Sequence, residues 1–164
     1  MNKEQKYISF YMELAERVAQ MSYAVRLQVG SILVKDDNII SFGWNGMPSG
    51  WDNNCEELEY IPKQECQQSD KFMLHNGYTE TAHGWSKLKS KPEVLHSEAN
   101  CLMKVARSTN SSEGSTLYVT HAPCIDCAKM IYQAGIKKLY YRHAYRSSAG
   151  VDFLKKSKIE VQNV

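Results

Sequence analysis

Apolar residues near the start of the chain recur with helical spacing. Tyr7, Phe10, Tyr11, Leu14, Val18 and Met21 fall three, four and seven apart, with Glu and Arg between them. That predicts an amphipathic first helix over roughly residues 3–22. The next stretch, "VGSILVKDDNIISFGWNG", holds two short β-branched runs around Asp36-Asp37-Asn38 and predicts a β-hairpin. Residues 45–95 show no clear period and carry Gly, Pro, Asn and most of the scattered Cys and His. A loop that long in a compact domain is usually functional or braced. Periodicity returns with a helix from His96 to about Arg107, then the polar turn "STNSSEGS" and a buried strand, Thr116–Thr120. "CIDCAKMIYQAGI" predicts a helix closed by Gly135, "KKLYYR" a strand, and a short helix and the terminal strand "KIEVQNV" follow. A helix, a hairpin and then alternating helix and strand predict an α/β sandwich, one mixed sheet covered by helices.

The length, 164 residues, suits a single domain over 1–164 with an insertion loop at about 52–95. A formal net charge of +2 with dispersed Lys and Arg gives no reason to expect a nucleic-acid or membrane partner. No apolar run reaches the length of a membrane span, and Met1–Lys6 leads into a charged amphipathic stretch unlike a signal peptide. Five cysteines, an odd count without a secretion signal, are expected as reduced thiols in a cytoplasmic protein.

The candidate chemistry starts at "LHSEANCL". Glu98 alone passes as a capping acid at a helix N-terminus, but His96 does not, and a neutral imidazole there wants a partner. "THAPCIDCAKM" offers one. Cys124 and Cys127 share a helix face at i and i+3, in the first turn after a buried strand, where the helix dipole favours thiolates. Pro123 suits the turn into that helix. One imidazole and two thiolates make a zinc set with a fourth position left for water, the catalytic rather than the structural pattern. Glu98, beside the metal without ligating it, is then the residue to carry a proton from the attacking water to a leaving amine. A C-x-x-C alone also fits a redox pair or half of a structural zinc site, and an H-x-E alone says little.

The order H-x-E and then P-C-x-x-C is that of zinc nucleobase deaminases. The chain resembles the deoxycytidylate (dCMP) deaminase family of the cytidine-deaminase-like fold over nearly its whole length. The resemblance rests on "VGSILV", "GWNG", "HSEAN", "LYVTHAPCIDCAK" and "YQAGIKKLYY", and the insertion is most like that of bacteriophage members. It implies a three-layer α/β/α sandwich with a five-stranded mixed sheet, and hydrolysis of dCMP to dUMP and ammonia, supplying thymidylate synthesis. It also implies hexamers, with dCTP as activator and dTTP as inhibitor, and leaves room for Mg²⁺ accompanying a triphosphate effector. By the resemblance, His96, Cys124 and Cys127 hold zinc and Glu98 shuttles protons. Asn45 meets the deoxyribose 3′-hydroxyl, the Ser97 N–H meets the pyrimidine O2, and Arg26 and Tyr145 lie near the phosphate. Trp44, Asn45, Gly46 and Arg107 fall at effector or subunit-interface positions.

Departures from the family pattern are Ser97 for alanine, Trp44 for tyrosine, His121 where an apolar residue is common, and Arg146 with two serines where an acid often follows. The last leaves the choice between dCMP and dCTP open. Some phage members carry a second, structural zinc. Cys55 and His83 match two of its ligand positions, Ala24 stands where a thiol would be, and Cys66 or His75 is the available substitute. Ordinary loop residues are the alternative for all four. Cys101 reads as a small buried hydrophobe. Competing functions are a tRNA or single-stranded DNA deaminase of the same fold, and a zinc-stabilised binding module in which Glu98 is only a cap.

Overall fold

A computed structural model of the chain describes residues 2–164. Helix α1 (Lys3–Ala19) opens on a capping box in which Asn2 and Gln5 each accept the other's backbone N–H, at 2.9 and 3.0 Å. It stops short of the periodic pattern because Met21 and Ser22 donate to Val18 and Ala19, three residues back, and the turn tightens. Strands β1 (Gly30–Lys35) and β2 (Asn38–Trp44) form the expected hairpin. Its two-residue turn needs positive φ at both positions, and Asp36 and Asp37 supply it at 49° and 61°.

The segment expected as an aperiodic loop is largely folded. It contains β3 (Glu56–Pro62), a 3₁₀ turn (Lys63–Glu65), α2 (Asp70–His75), β4 (Thr79–Glu80) and β5 (Gly84–Ser90). The strands make a second, antiparallel sheet in the order β3-β5-β4. Trp85 and Met73, 2% and 1% exposed, are its small core. The usual pattern of apolar residues inward and polar outward is broken here. Leu58, Tyr60 and Leu88 are exposed on one face, while Glu59, Lys87 and Lys89 share the other with Trp85.

The chain then returns to the main body with α3 (Ser97–Ala106), β6 (Thr116–His121), α4 (Ile125–Gln133), β7 (Lys138–His143), α5 (Ala149–Lys156) and β8 (Glu160–Asn163). The five-stranded sheet runs β2-β1-β6-β7-β8, with β1 antiparallel to both neighbours and β6, β7 and β8 parallel. It is mixed, as expected. Successive β1 residues point to opposite faces. Ile32 and Val34 pack with Tyr11, Met12, Tyr118 and Tyr140 under α1. Leu33 packs with Leu117, Val119 and Leu139 beneath the layer that includes α3, α4 and α5. The three-layer sandwich brings the start of α3 and the start of α4 together at the end of β6. None of the helices among the described residues is long and apolar enough to cross a membrane.

Candidate active site and metal centre

His96 is the N-cap residue of α3, and its side chain caps nothing, so the ring is free to face across to α4. Cys124 is the N-cap of α4, its sulfur accepting the Cys127 N–H at 3.5 Å. Nδ1 of His96 lies 3.5 Å from Cys124 Sγ and 3.4 Å from Cys127 Sγ. In a tetrahedral zinc site with Zn–S of about 2.3 Å and Zn–N of about 2.0 Å, nitrogen and sulfur ligands stand about 3.5 Å apart. The three side chains therefore fit zinc. They are the only group of three or more metal-type ligands gathered among the described residues.

The two thiols are perturbed in opposite directions. Hydrogen bonds from Cys127 and His96 pull the Cys124 thiol down to about 4. The Cys127 thiol is pushed up, because it donates to the Cys124 thiolate and is buried. A dication held by both sulfurs would take them as thiolates and displace any proton between them.

Glu98 follows in the first turn of α3 and is 4% exposed. Burial raises its carboxyl above the ordinary carboxylate range, opposed by its own backbone N–H, by Ser97 and by His96. Ser97 Oγ donates to Glu98 Oε2 at 2.9 Å. The sequence assigned Ser97 only a backbone N–H toward the ring, so this orienting bond is new. The helix start is pinned from below. Ser31 Oγ donates to the Ser97 carbonyl at 2.9 Å, and Gly43 lies so close that an added Cβ would sit 2.3 Å from the same oxygen.

These groups open into a cavity of about 540 Å³. The main body contributes the expected Arg26, Asn45, Ser97 and Tyr145, and also His121 and Arg146. Asn45 is more committed than its motif suggested: Oδ1 accepts from Val29 N–H and Nδ2 donates to the Leu27 carbonyl, both at 2.8 Å. Its amide holds the 27–29 segment and keeps part of its hydrogen-bonding capacity for a ligand. The His121 ring lies 4.9 Å from that of His143, and its Nδ1 is 3.1 Å from Thr120 Oγ1. Thr120 Oγ1 also accepts the Gly30 N–H. Arg146 stacks 5.5 Å over the Tyr145 ring.

Other expected residues lie away from the metal centre. Trp44 sits beside Phe42 under the Lys104 amine, which is 4.5 Å from its ring. Gly46 bridges to Leu95, and Arg107 caps the far end of α3. Asn100, to which the motif reading gave no role, donates to the Trp44 carbonyl at 3.0 Å and ties α3 to this loop. Cys101 is fully buried in the core cluster. The structure does not bring Cys55, Cys66, His75 and His83 together. Cys55 precedes β3 at its Glu56–Ser90 end, whereas Cys66 and His83 flank the Pro62–Gly84 end, a strand length of roughly 20 Å away. Cys55 instead is buried with its sulfur on the Asn53 carbonyl.

Residues 5–143 match the cytidine and deoxycytidylate deaminase zinc-binding region. The chain belongs to the cytidine and deoxycytidylate deaminase family. Deoxycytidylate deaminase of Enterobacteria phage T2 is 38% identical, across 95% of this chain and 91% of that protein. The human deoxycytidylate deaminase is 33% identical, across 80% of this chain and 62% of its own length. The crystal structure of dCMP deaminase from cyanophage S-TIM5, in complex with dCMP and dUMP, superposes with a TM-score of 0.76 at 38% identity, covering 100% of this chain and 99% of that one. The chain is thus a deaminase of phage type, and the His96, Cys124 and Cys127 cluster lies within its family's zinc-binding region.

Proposed function

We propose that the protein hydrolyses dCMP to dUMP and ammonia at this site. The observation carrying the reading is the buried Glu98 beside a zinc-type trio at the floor of a cavity sized for a nucleotide. The dCMP deaminases among its relatives support the substrate. His96, Cys124 and Cys127 would hold the metal, and a zinc ion bound there supplies the Lewis acidity that makes water nucleophilic near neutral pH.

The chain's own residues do the rest. Water adds at C4 of the pyrimidine, the C4–N bond breaks, and ammonia leaves. One water proton must move to the ring nitrogen N3, where it stays in dUMP, and the other must pass from the new C4 hydroxyl to the departing amine as the C4 carbonyl forms. Glu98 is the carrier, its affinity for a proton raised by burial. Ser97 Oγ fixes the carboxylate in place. The Ser97 N–H meets O2 of the ring, Asn45 the deoxyribose 3′-hydroxyl, and Arg26 and Tyr145 the phosphate. Supply of dUMP to thymidylate synthesis, and control by dCTP and dTTP with Mg²⁺ in a hexamer, extend the same reading, with Trp44, Gly46 and Arg107 at the regulated surface.

The test replaces Glu98 with Gln. Turnover of dCMP should fall by about 10²- to 10⁴-fold, while zinc content stays at the wild-type value. A variant that keeps turnover removes Glu98 from the chemistry. Wild-type protein that deaminates a cytosine-containing DNA but not dCMP refutes the free-nucleotide reading.

A further inference from the structure

The outer half of the cavity is built by the inserted sheet, from Glu59, Lys87, Lys89 and Ser90. Two ties fix that sheet to the main body at the segment bearing Arg26. The buried carboxylate of Glu56 accepts the backbone N–H of Val25 at 3.0 Å and of Arg26 at 3.1 Å. Arg26 Nη1 also donates to Ser90 Oγ at 3.2 Å. Arg26 is therefore held against the end of β5, next to Lys89.

The charges at this wall are unequally satisfied. The Lys87 amine donates to the Asn76 carbonyl at 2.6 Å and sits 5.0 Å over the Tyr78 ring. Burial and the nearby Glu59 carboxylate raise the Tyr78 hydroxyl above its ordinary range. Across the cavity Asp126 is paired with Lys129 at 2.8 Å. Lys89 faces the cavity, yet no hydrogen bond or ion pair among the described residues engages its amine. Arg26, Lys87, Lys89 and Arg146 together leave the cavity mouth positive, above a floor that binds a base. A free ammonium beside a tethered guanidinium suits an oxyanion with more than one oxygen to satisfy.

Building on the dCMP reading, we infer that the inserted sheet is a wall of the active site, and that Lys89 is a specificity-determining residue that binds the substrate's 5′-phosphate together with Arg26.

The experiment measures kcat and KM for dCMP in the wild-type protein, Lys89→Met and Lys89→Arg. Deoxycytidine, which lacks the phosphate, is titrated as a competitor in each. Lys89→Met should raise KM for dCMP roughly tenfold, with the loss falling on KM rather than kcat. The inhibition constant of deoxycytidine should stay within about twofold, and Lys89→Arg should recover most of the affinity. The inference is overturned if Lys89→Met leaves KM for dCMP unchanged, or if deoxycytidine weakens in parallel, which marks a structural role. Failure of the underlying reading is separate: the wild-type protein itself would not turn over dCMP.

Discussion

Replacing Gly43 with alanine tests how the sheet positions the catalytic helix. Gly43 lies in β2 directly beneath the first turn of α3. A methyl group there would stand 2.3 Å from the Ser97 carbonyl oxygen and 2.6 Å from the Cys101 backbone nitrogen, against an ordinary contact of at least 3.4 Å. Both neighbours are backbone, so neither can swing away, and α3 must lift by about 1 Å. Overpacking of this kind costs about 1–3 kcal/mol, which for a chain of this length lowers Tm by about 3–10 °C. The larger effect is on chemistry. His96 and Glu98 ride on that turn, and a misplacement of about 1 Å is enough to cost about 10²-fold in rate. The Ser31 bond to the Ser97 carbonyl would be strained at the same time.

The assay compares kcat for dCMP, zinc content and Tm in Gly43→Ala and in a control, Met12→Ala. Met12 is fully buried on α1, which carries no residue of the site, and its truncation costs about 2–5 kcal/mol. Both variants should lose stability, and only Gly43→Ala should lose rate at temperatures where both are folded. A Gly43→Ala protein with kcat within about twofold of wild type would refute the reasoning, as would a Met12→Ala protein equally slowed.

Three further outcomes are expected. Dialysed protein should carry about one zinc per chain; Cys127→Ala should lose it and Cys55→Ala should keep it, so a second equivalent abolished by Cys55→Ala would contradict the separation of Cys55 from His83. Glu56→Ala strips the acceptor from two backbone N–H groups in a buried setting, which should cost about 2–4 kcal/mol in denaturant unfolding and raise KM for dCMP by loosening Arg26; an effect on stability with no change in KM would detach the inserted sheet from substrate binding. The His121 pKa is held below its ordinary value by burial and by His143, so below about 6.5 the unfolded chain takes up a proton that the folded ring resists. Wild type should therefore lose stability relative to His121→Gln as pH falls from about 6.5 toward the folded value, and not above it; parallel stability curves across that range would sink this account.

The inner half of the site was legible in the sequence because its geometry is local. Two cysteines three apart at a helix start share a face, and an imidazole two residues before a buried acid sets Glu98 beside the trio. The hairpin was legible for the same reason, since Asp36 and Asp37 tolerate the left-handed turn that the strands demand. The outer half was not, because it depends on the register between β3 and β5 and on a sheet whose polar face looks inward. "GWSKLKS" alternates with period two, but its lysines line a wet cavity and its leucine faces out, the reverse of the pattern that identifies a half-buried strand. With the strands unread, Lys87 and Lys89 stood in a loop, and Cys55 and His83 were matched by resemblance to one zinc site although a strand's length separates them. Ser97 marks the boundary between the two halves. Its position was fixed by the motif, but its hydroxyl's bond to Glu98 depends on a rotamer that only the packed cavity selects. The residues assigned to the chemistry are thus encoded over a few positions. Those inferred to hold the substrate's phosphate from the inserted sheet are encoded by pairing across the insertion.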